Sequence, residues 1–270
     1  MLGQVLTRVS VRGQPSGLHT AGHLLRLTTI LSTHCFSSTF GFQETFMNVM
    51  AATKSADVNP KANHTATVFF LHGLGDTGHG WCDGFSGIKE DYIRYSCPHA
   101  PVQSVSLNHG MKMPSWFDIQ SLSFSGPEDE AGIKQASLNL QSLVQDEEKK
   151  GIPSDRIIIG GFSQGGAVAL HAALTMNKKI GGLILLSTWL PLHAKILKEV
   201  KGDKSFPVFQ AHGTSDPVVN FALGKMSYEK VKSVLPNITF KDYGGMGHSS
   251  SPTEMVDVKE FIKKALPNAS

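Results

Sequence analysis

The chain has 270 residues, of which 40% are hydrophobic and 17% are charged, and its net charge is +3. This composition excludes a chain that is disordered throughout, and three cysteines are too few for a disulfide scaffold. The longest apolar runs, at residues 68–71 and 183–186, are far shorter than the roughly 18 residues that cross a bilayer. We therefore expect a folded, cytoplasmic protein with a sizeable core and no transmembrane helix.

The N-terminal segment differs in composition from the rest of the chain. Residues 1–50 contain three arginines, many serines and threonines, and no acid before Glu44. This composition is typical of a mitochondrial transit peptide, and a leader without a targeting role fits it equally well. We predict a disordered leader over residues 1–61, which makes a mitochondrial location the alternative for the full-length form, and a folded domain over 62–268. The domain interleaves its basic and acidic residues, so binding to nucleic acid is not expected.

From Thr65 onward, short β-rich runs alternate with amphipathic helical stretches. The predicted strands cover residues 67–71, 92–97, 156–160, 180–187, 206–210 and 238–243. The predicted helices cover residues 130–150, 164–176 and 221–235, and a last helix begins after Ser251, where Pro252 and Glu254 form a helix-start signature. This alternation predicts an α/β fold with a mainly parallel central sheet and helices on both faces.

The most specific local motif is Gly-Phe-Ser-Gln-Gly at residues 161–165, between a predicted strand and a predicted helix. A G-x-S-x-G sequence in this setting predicts a nucleophile elbow, a turn so tight that Gly161 and Gly165 are required around Ser163. The turn would raise the Ser163 hydroxyl above the sheet edge. An ordinary glycine-rich turn with an incidental serine is the alternative, and it does not account for the strand–turn–helix placement.

A serine nucleophile needs a general base and an acid that orients the base. In α/β-hydrolases these groups follow in the order serine, acid, histidine. His248 lies in a glycine-rich loop after the last predicted strand, and Asp216 directly follows the strand 206–210, so we predict a triad of Ser163, Asp216 and His248. Other downstream candidates are less well placed, namely His171, His193, His212, Asp203 and Asp242.

Acyl transfer also requires two donors for the negatively charged oxygen of the tetrahedral intermediate. We predict the backbone N–H groups of Gln164 and of Leu74, which lies in the loop after an early strand. The same loop contains G-x-G-x-x-G at residues 73–78, which suggests a dinucleotide site as the alternative. That site needs an acid at the end of the next strand, where residues 96–99 read Ser-Cys-Pro-His. We therefore expect neither a cofactor nor a metal.

Five blocks carry a family resemblance: FLHGLGDTGHGW at 70–81, PHAP at 98–101, PSWFD at 114–118, GGFSQGG at 160–166 and WLPL at 189–192. Together they resemble the acyl-protein thioesterases, a lysophospholipase and carboxylesterase family of the α/β-hydrolase fold. The likeness covers about residues 62–268. It implies hydrolysis of S-palmitoyl thioesters on protein cysteines, and of lysophospholipids and other acyl esters, with the triad on Ser163, Asp216 and His248. Thr188 stands where the family usually has cysteine.

Apolar residues on loops above the sheet edge predict an acyl groove under a flap formed by residues 111–127. The proposed lining residues are Trp116, Leu122, Phe124, Trp189, Leu190 and Val218. Each of them could instead pack in the core. The expected substrates are S-acylated proteins and lipid acyl esters, and transient contact with a membrane surface is compatible with them. Two alternatives stay open: a lysophospholipid or small-ester carboxylesterase, and a non-catalytic protein that binds acyl chains.

Overall fold

The computed structural model of the chain describes residues 54–123 and 125–269. The strands in this part are β1 (Ser55–Val58), β2 (Ala66–Leu71), β3 (Ile93–Pro98), β4 (Val102–Val105), β5 (Met111–Pro114), β6 (Ile157–Phe162), β7 (Gly182–Leu186), β8 (Val208–Gly213) and β9 (Ile238–Tyr243). The helices are α1 (Gly78–Ser86), α2 (Glu130–Lys149), α3 (Gln164–Thr175), α4 (Phe221–Val231) and α5 (Pro252–Ala265). None of these helices is long and apolar enough to cross a membrane.

The main sheet has the strand order β1-β3-β2-β6-β7-β8-β9. All of its neighbouring strands are parallel except β1 and β3, which pair antiparallel. Strands β4 and β5 form a separate antiparallel hairpin. The prediction of a mainly parallel sheet is therefore confirmed. Because the carboxyl ends of parallel strands meet at one edge, the loops after β2, β6, β7, β8 and β9 come together there.

The central strands are buried on both faces, which explains their continuous apolar sequences. In β6, Ile157 and Ile159 pack toward α2 and α3, whereas Ile158 between them packs toward α1 and α5. Strand β7 divides its apolar side chains between the same two faces. The chain therefore has one apolar cluster on each side of the sheet, and the predicted helices on both faces are confirmed.

Three elements were not predicted from the sequence. Strand β1 lies at residues 55–58, upstream of the predicted domain start at 62. Helix α1 was not predicted because its nine residues include three glycines, each costing about 1 kcal/mol relative to alanine. Packing of the fully buried Phe85 stabilises this helix nevertheless. The β4–β5 hairpin was also missed. The predicted disorder of residues 1–53 lies outside the described residues.

The first turn of α5 contains a buried acid. The hydroxyl of Ser251 accepts a hydrogen bond from the Glu254 N–H at 3.1 Å, as the helix-start signature predicted. The Glu254 carboxyl is fully buried, and this burial raises its pKa to about 7. The Ser250 side chain and the Ser251 backbone oppose the shift, although neither makes a hydrogen bond of ordinary geometry to the carboxylate. Ionised Glu254 is therefore a destabilising group just after the loop that carries His248.

Replacing Glu254 with glutamine is expected to stabilise the protein at about pH 8 and to have little effect near pH 4.5. Between these values the unfolded chain releases a proton that the folded chain retains, so the wild type loses stability until the pH passes about 7. The full penalty is on the order of 3 kcal/mol. Urea unfolding of the wild type and of Glu254→Gln, at several pH values between about 4.5 and 8, measures this penalty. Glu260→Gln, an exposed change on the same helix, is the control. A stabilisation by Glu254→Gln that does not change with pH would contradict the raised pKa of Glu254.

Candidate active site

Ser163 occupies a one-residue turn between β6 and α3. Its backbone has φ 53° and ψ −120°, a conformation that is strained for a residue with a side chain. A Cβ added to Gly161 would lie 2.3 Å from the carbonyl carbon of Gly165, and a Cβ on Gly165 would lie 2.3 Å from the Leu71 oxygen. Both glycines are therefore required by close backbone contacts, as the elbow motif predicted. The turn places the serine hydroxyl at the carboxyl edge of the sheet.

Three side chains from different loops meet at this edge. His248 Nε2 lies 3.0 Å from Ser163 Oγ, and His248 Nδ1 lies 2.8 Å from Asp216 Oδ2. The other carboxylate oxygen, Oδ1, accepts the backbone N–H groups of Val218 at 2.8 Å and Val219 at 2.9 Å. With Nδ1–H donating to Asp216, His248 Nε2 is left as an acceptor for the Ser163 hydroxyl. The arrangement has the geometry of a nucleophile, a base and an orienting acid.

The structure separates His212 and His171 from Ser163. His212 is buried, its Nε2 donates to the Val219 carbonyl at 2.8 Å, and it lies 3.5 Å from Asp216 Oδ2. Burial lowers the pKa of His212, so the ring is neutral and packs against the acid loop. His171 is buried in α3, as expected, where burial lowers its pKa to about 4. The contact of His212 with the acid loop was missed, although both groups belong to one short turn of the sequence.

The loop that carries Leu74 is held from several directions. The Gly75 N–H donates to the Pro114 carbonyl at 2.8 Å, and the Ala100 N–H donates to His72 Nε2 at 3.0 Å. Burial lowers the pKa of His72, which keeps its Nε2 available as an acceptor. Gln164 is the first residue of α3, so its N–H is one of the donors that a helix N-terminus leaves free. The oxyanion roles of Leu74 and Gln164 stay predictions.

The Gln164 side chain has a second function, which the sequence did not predict. Its Nε2 donates to Ser115 Oγ at 2.9 Å and to the Phe117 carbonyl at 2.7 Å, while its Oε1 accepts from the Trp116 N–H at 3.0 Å. The Trp116 indole in turn donates to the His72 carbonyl at 2.8 Å. The first part of the predicted flap is therefore tied to the nucleophile turn and to the Leu74 loop.

Thr188 supports the nucleophile turn. Its hydroxyl donates to the Ser163 carbonyl at 2.7 Å and is buried. A Cβ on Gly166 would lie 2.7 Å from the Thr188 Cβ, so the end of β7 packs closely against the start of α3. The hydrogen bond from the Thr188 hydroxyl therefore helps to hold the backbone of the elbow in place.

The predicted acyl groove is only partly assembled. Leu122, Trp189 and Leu190 line one cavity, but its volume is about 20 Å³, enough for a water molecule and far too small for a palmitoyl chain. Trp116 does not line it and packs instead on His72, and Val218, 47% exposed, follows the acid. Phe124 lies outside the described residues. Three of the predicted lining residues therefore share only this small cavity, and the acyl groove under the flap stays a prediction.

A larger cavity, which the sequence did not predict, lies beside His248. Its volume is about 290 Å³, and its walls include Trp81, Phe162 and Met255. The Phe162 ring contacts both the His248 ring, at a centroid distance of 4.7 Å, and the Trp81 ring, at 5.4 Å. The sequence did not reveal this cavity because Trp81 belongs to the glycine-rich helix α1, which was not predicted.

A strained serine above a mainly parallel sheet, in contact with a histidine that contacts an aspartate, defines an α/β-type serine hydrolase. The model of the phospholipase/carboxylesterase family matches residues 52–266, and the chain belongs to this family.

Several proteins that are similar to this chain are named acyl-protein thioesterases. The chain is 43% identical over 232 residues to acyl-protein thioesterase 1 of Cryptococcus neoformans, covering 79% of this chain and 98% of the relative. It is 42% identical over 221 residues to the Neurospora crassa protein of that name, covering 77% and 90%. Among solved structures, Zea mays acyl-protein thioesterase 2 has a TM-score of 0.73 and 29% identity, covering 80% of this chain and 100% of that one. Arabidopsis thaliana SOBER1 has a TM-score of 0.71 and 31% identity, covering 74% and 99%.

Proposed function

We propose that the chain is a thioesterase that hydrolyses S-palmitoyl and other long-chain S-acyl thioesters on protein cysteines. The contact of 3.0 Å between His248 Nε2 and Ser163 Oγ carries this proposal, because it gives the serine the base that acyl transfer needs. The similarity to proteins named acyl-protein thioesterase supports the choice of substrate. A non-catalytic binder of acyl chains is disfavoured, since such a protein has no use for a hydrogen-bonded Ser163, His248 and Asp216.

In the proposed mechanism, His248 accepts the Ser163 proton as Oγ attacks the thioester carbonyl carbon. Asp216 stabilises the resulting imidazolium, and the N–H groups of Leu74 and Gln164 bind the oxyanion, each contributing about 3 kcal/mol. The carbon–sulfur bond then breaks, and the imidazolium donates its proton to the departing sulfur. Water repeats the sequence on the acyl-enzyme: His248 takes a proton from the water as its oxygen attacks the acyl carbon. The bond between that carbon and Ser163 Oγ then breaks, His248 returns the proton to Oγ, and the fatty acid leaves.

We further propose that the acyl chain binds under the flap, in an enlarged form of the cavity lined by Leu122, Trp189 and Leu190. Each buried methylene contributes at most about 0.8 kcal/mol, so many methylenes must be buried to favour palmitoyl over short chains. Binding must therefore displace flap side chains. Leu122 is suited to this movement because it is only partly buried and lies well beyond the hydrogen bonds that Gln164 makes to residues 115–117.

The wild type is expected to hydrolyse palmitoyl thioesters with a kcat/KM more than about 100-fold above that of butanoyl thioesters of the same peptide. Leu122→Ala should lower this ratio about tenfold, because the long acyl chain loses its apolar contact with the Leu122 side chain. Leu138→Ala, on an exposed side chain of α2, is the control and should leave the ratio unchanged. Equal efficiency with both chain lengths in the wild type would contradict the acyl site.

Lysophospholipid hydrolysis is the second candidate, because thioesters and oxyesters pass through similar tetrahedral intermediates and the chain's family includes phospholipases. Measuring kcat/KM for a palmitoylated peptide and for a palmitoyl lysophospholipid with the same enzyme decides between them. A higher value for the peptide supports the proposed function, and a higher value for the lipid overturns it.

We place the reaction in the cytoplasm, with mitochondria as the alternative for the form that carries the basic leader. Cys82 and Cys97, the cysteines among the described residues, are both free thiols, which a reducing compartment preserves. We propose that the leader precedes β1, and N-terminal sequencing of the cellular protein tests whether it is removed.

A further inference from the structure

Two cavities lie on opposite faces of the sheet, and the larger of these two borders His248. Leu122 and Trp189, which line the small cavity, pack against the core cluster shared with α2 and α3. Trp81, Phe162 and Met255, which line the cavity of about 290 Å³, pack against the cluster on the face of α1 and α5. The cavity of about 290 Å³ therefore borders the catalytic base itself, whereas the lining of the small cavity includes neither Ser163 nor His248.

The direction of proton transfer distinguishes the two sides. The sulfur must accept its proton from His248 Nε2, so the leaving group has to lie next to the His248 ring. The larger cavity uses that ring and the adjoining Ser249 as part of its wall. The larger cavity therefore lies where the leaving group must be, and not where the acyl chain must be.

We propose that this cavity binds the polypeptide around the thioester cysteine, with an apolar side chain next to the cysteine seated among Trp81, Phe162 and Met255. The inference rests on the proposed function and adds a second determinant of specificity to it. Aromatic and thioether side chains on three sides favour an apolar group, and the Asp76 carboxylate at the same cavity disfavours an acidic one.

The wall formed by α1 has the space that a peptide needs. Gly80 and Gly84 both line the cavity, and they lie one helical turn apart. A Cβ on Gly80 would meet no heavy atom within 4 Å, and a Cβ on Gly84 would lie 3.9 Å from Met255 Cε. A side chain added at Gly80 would therefore start in open space at its Cβ. This makes Gly80 the position at which the cavity can be filled selectively.

The experiment compares two substrates with the same palmitoyl chain: a peptide with leucine next to the S-acylated cysteine, and a thioester of the small thiol N-acetylcysteamine. The wild type should prefer the peptide by about tenfold or more in kcat/KM, the effect of seating one apolar side chain. Gly80→Leu should reduce this preference to about one. Asp83→Leu adds the same side chain at an exposed position of α1 that does not line the cavity, and it should retain the preference.

Several outcomes overturn the proposal. If the wild type hydrolyses both substrates with equal efficiency, the leaving-group site is wrong while the proposed function stands; if it hydrolyses neither, the proposed function fails as well. If Gly80→Leu instead abolishes the preference for palmitoyl over butanoyl, the acyl chain occupies this cavity. If the variant impairs only lysophospholipid hydrolysis, the cavity holds a lipid headgroup and not a peptide.

Discussion

Ser163→Ala is expected to lower kcat for a palmitoylated peptide by on the order of 10⁴-fold or more and to abolish covalent labelling by a fluorophosphonate probe. The hydroxyl is the proposed nucleophile, and its contact in the structure is with His248 Nε2. The backbone contacts of the turn do not depend on it, because the Ser163 N–H donates to the Leu186 carbonyl and the Ser163 carbonyl accepts from Thr188. The variant should therefore fold normally and lose only its chemistry.

Ser187→Ala is the matched control for this experiment. Ser187 follows β7 as Ser163 follows β6, it is fully buried, and it also has a positive φ, of 46°. No histidine contact is found for its hydroxyl among the described residues, where this oxygen has no hydrogen-bond partner. Ser187→Ala should keep both labelling and hydrolysis. Labelling that persists in Ser163→Ala would show that another residue is the nucleophile.

Asp216→Asn is expected to lower kcat by about 10⁴-fold through the tautomer of His248. The N–H groups of Val218 and Val219 both donate to Oδ1, so this position must keep an oxygen acceptor. The amide NH₂ of asparagine is then directed at His248 Nδ1, which has to become an acceptor. The ring proton moves to Nε2, which can no longer take the proton of Ser163.

Steady-state kinetics with the palmitoylated peptide and the rate of probe labelling both measure this effect. The substitution replaces one carboxylate oxygen by an amide nitrogen of similar size, so a matched unfolding curve is expected for the variant and the wild type. Asp242→Asn, an exposed change on β9 and an acid considered from the sequence, should be neutral. An Asp216→Asn variant within about tenfold of the wild type would mean that a different group orients His248.

The predictable part of the fold is the part that depends on local patterns. Strand β9 was predicted with its observed bounds, and the predicted start of α3 at Gln164 is also the observed one. Both are local signals: alternation or burial in a strand, and a glycine-bracketed turn before a helix. Helix α1 and strand β1 were not predicted because their stability comes from partners that are distant in the chain. These partners are the core around Phe85 for α1 and the edge of β3 for β1.

The same distinction applies to the site. The chain order of Ser163, Asp216 and His248 was readable because each follows a recognisable strand, and parallel strands end at a common edge. The size of the cavity lined by Leu122 and Trp189 could not be predicted from the sequence, because it depends on how those side chains pack. The larger cavity beside Met255 was equally hidden, since α1 and α5 are far apart in sequence.

The amino-acid order alone specified the α/β class, the nucleophile turn and the three polar groups that meet at it, because backbone sterics and strand periodicity act over a few residues. Only packing in three dimensions decided that His212 flanks the acid, that Gln164 holds the flap, and that a cavity of about 290 Å³ lies beside His248. Those features arise from side-chain volumes and hydrogen bonds between segments that are distant in the chain, and no local pattern encodes them.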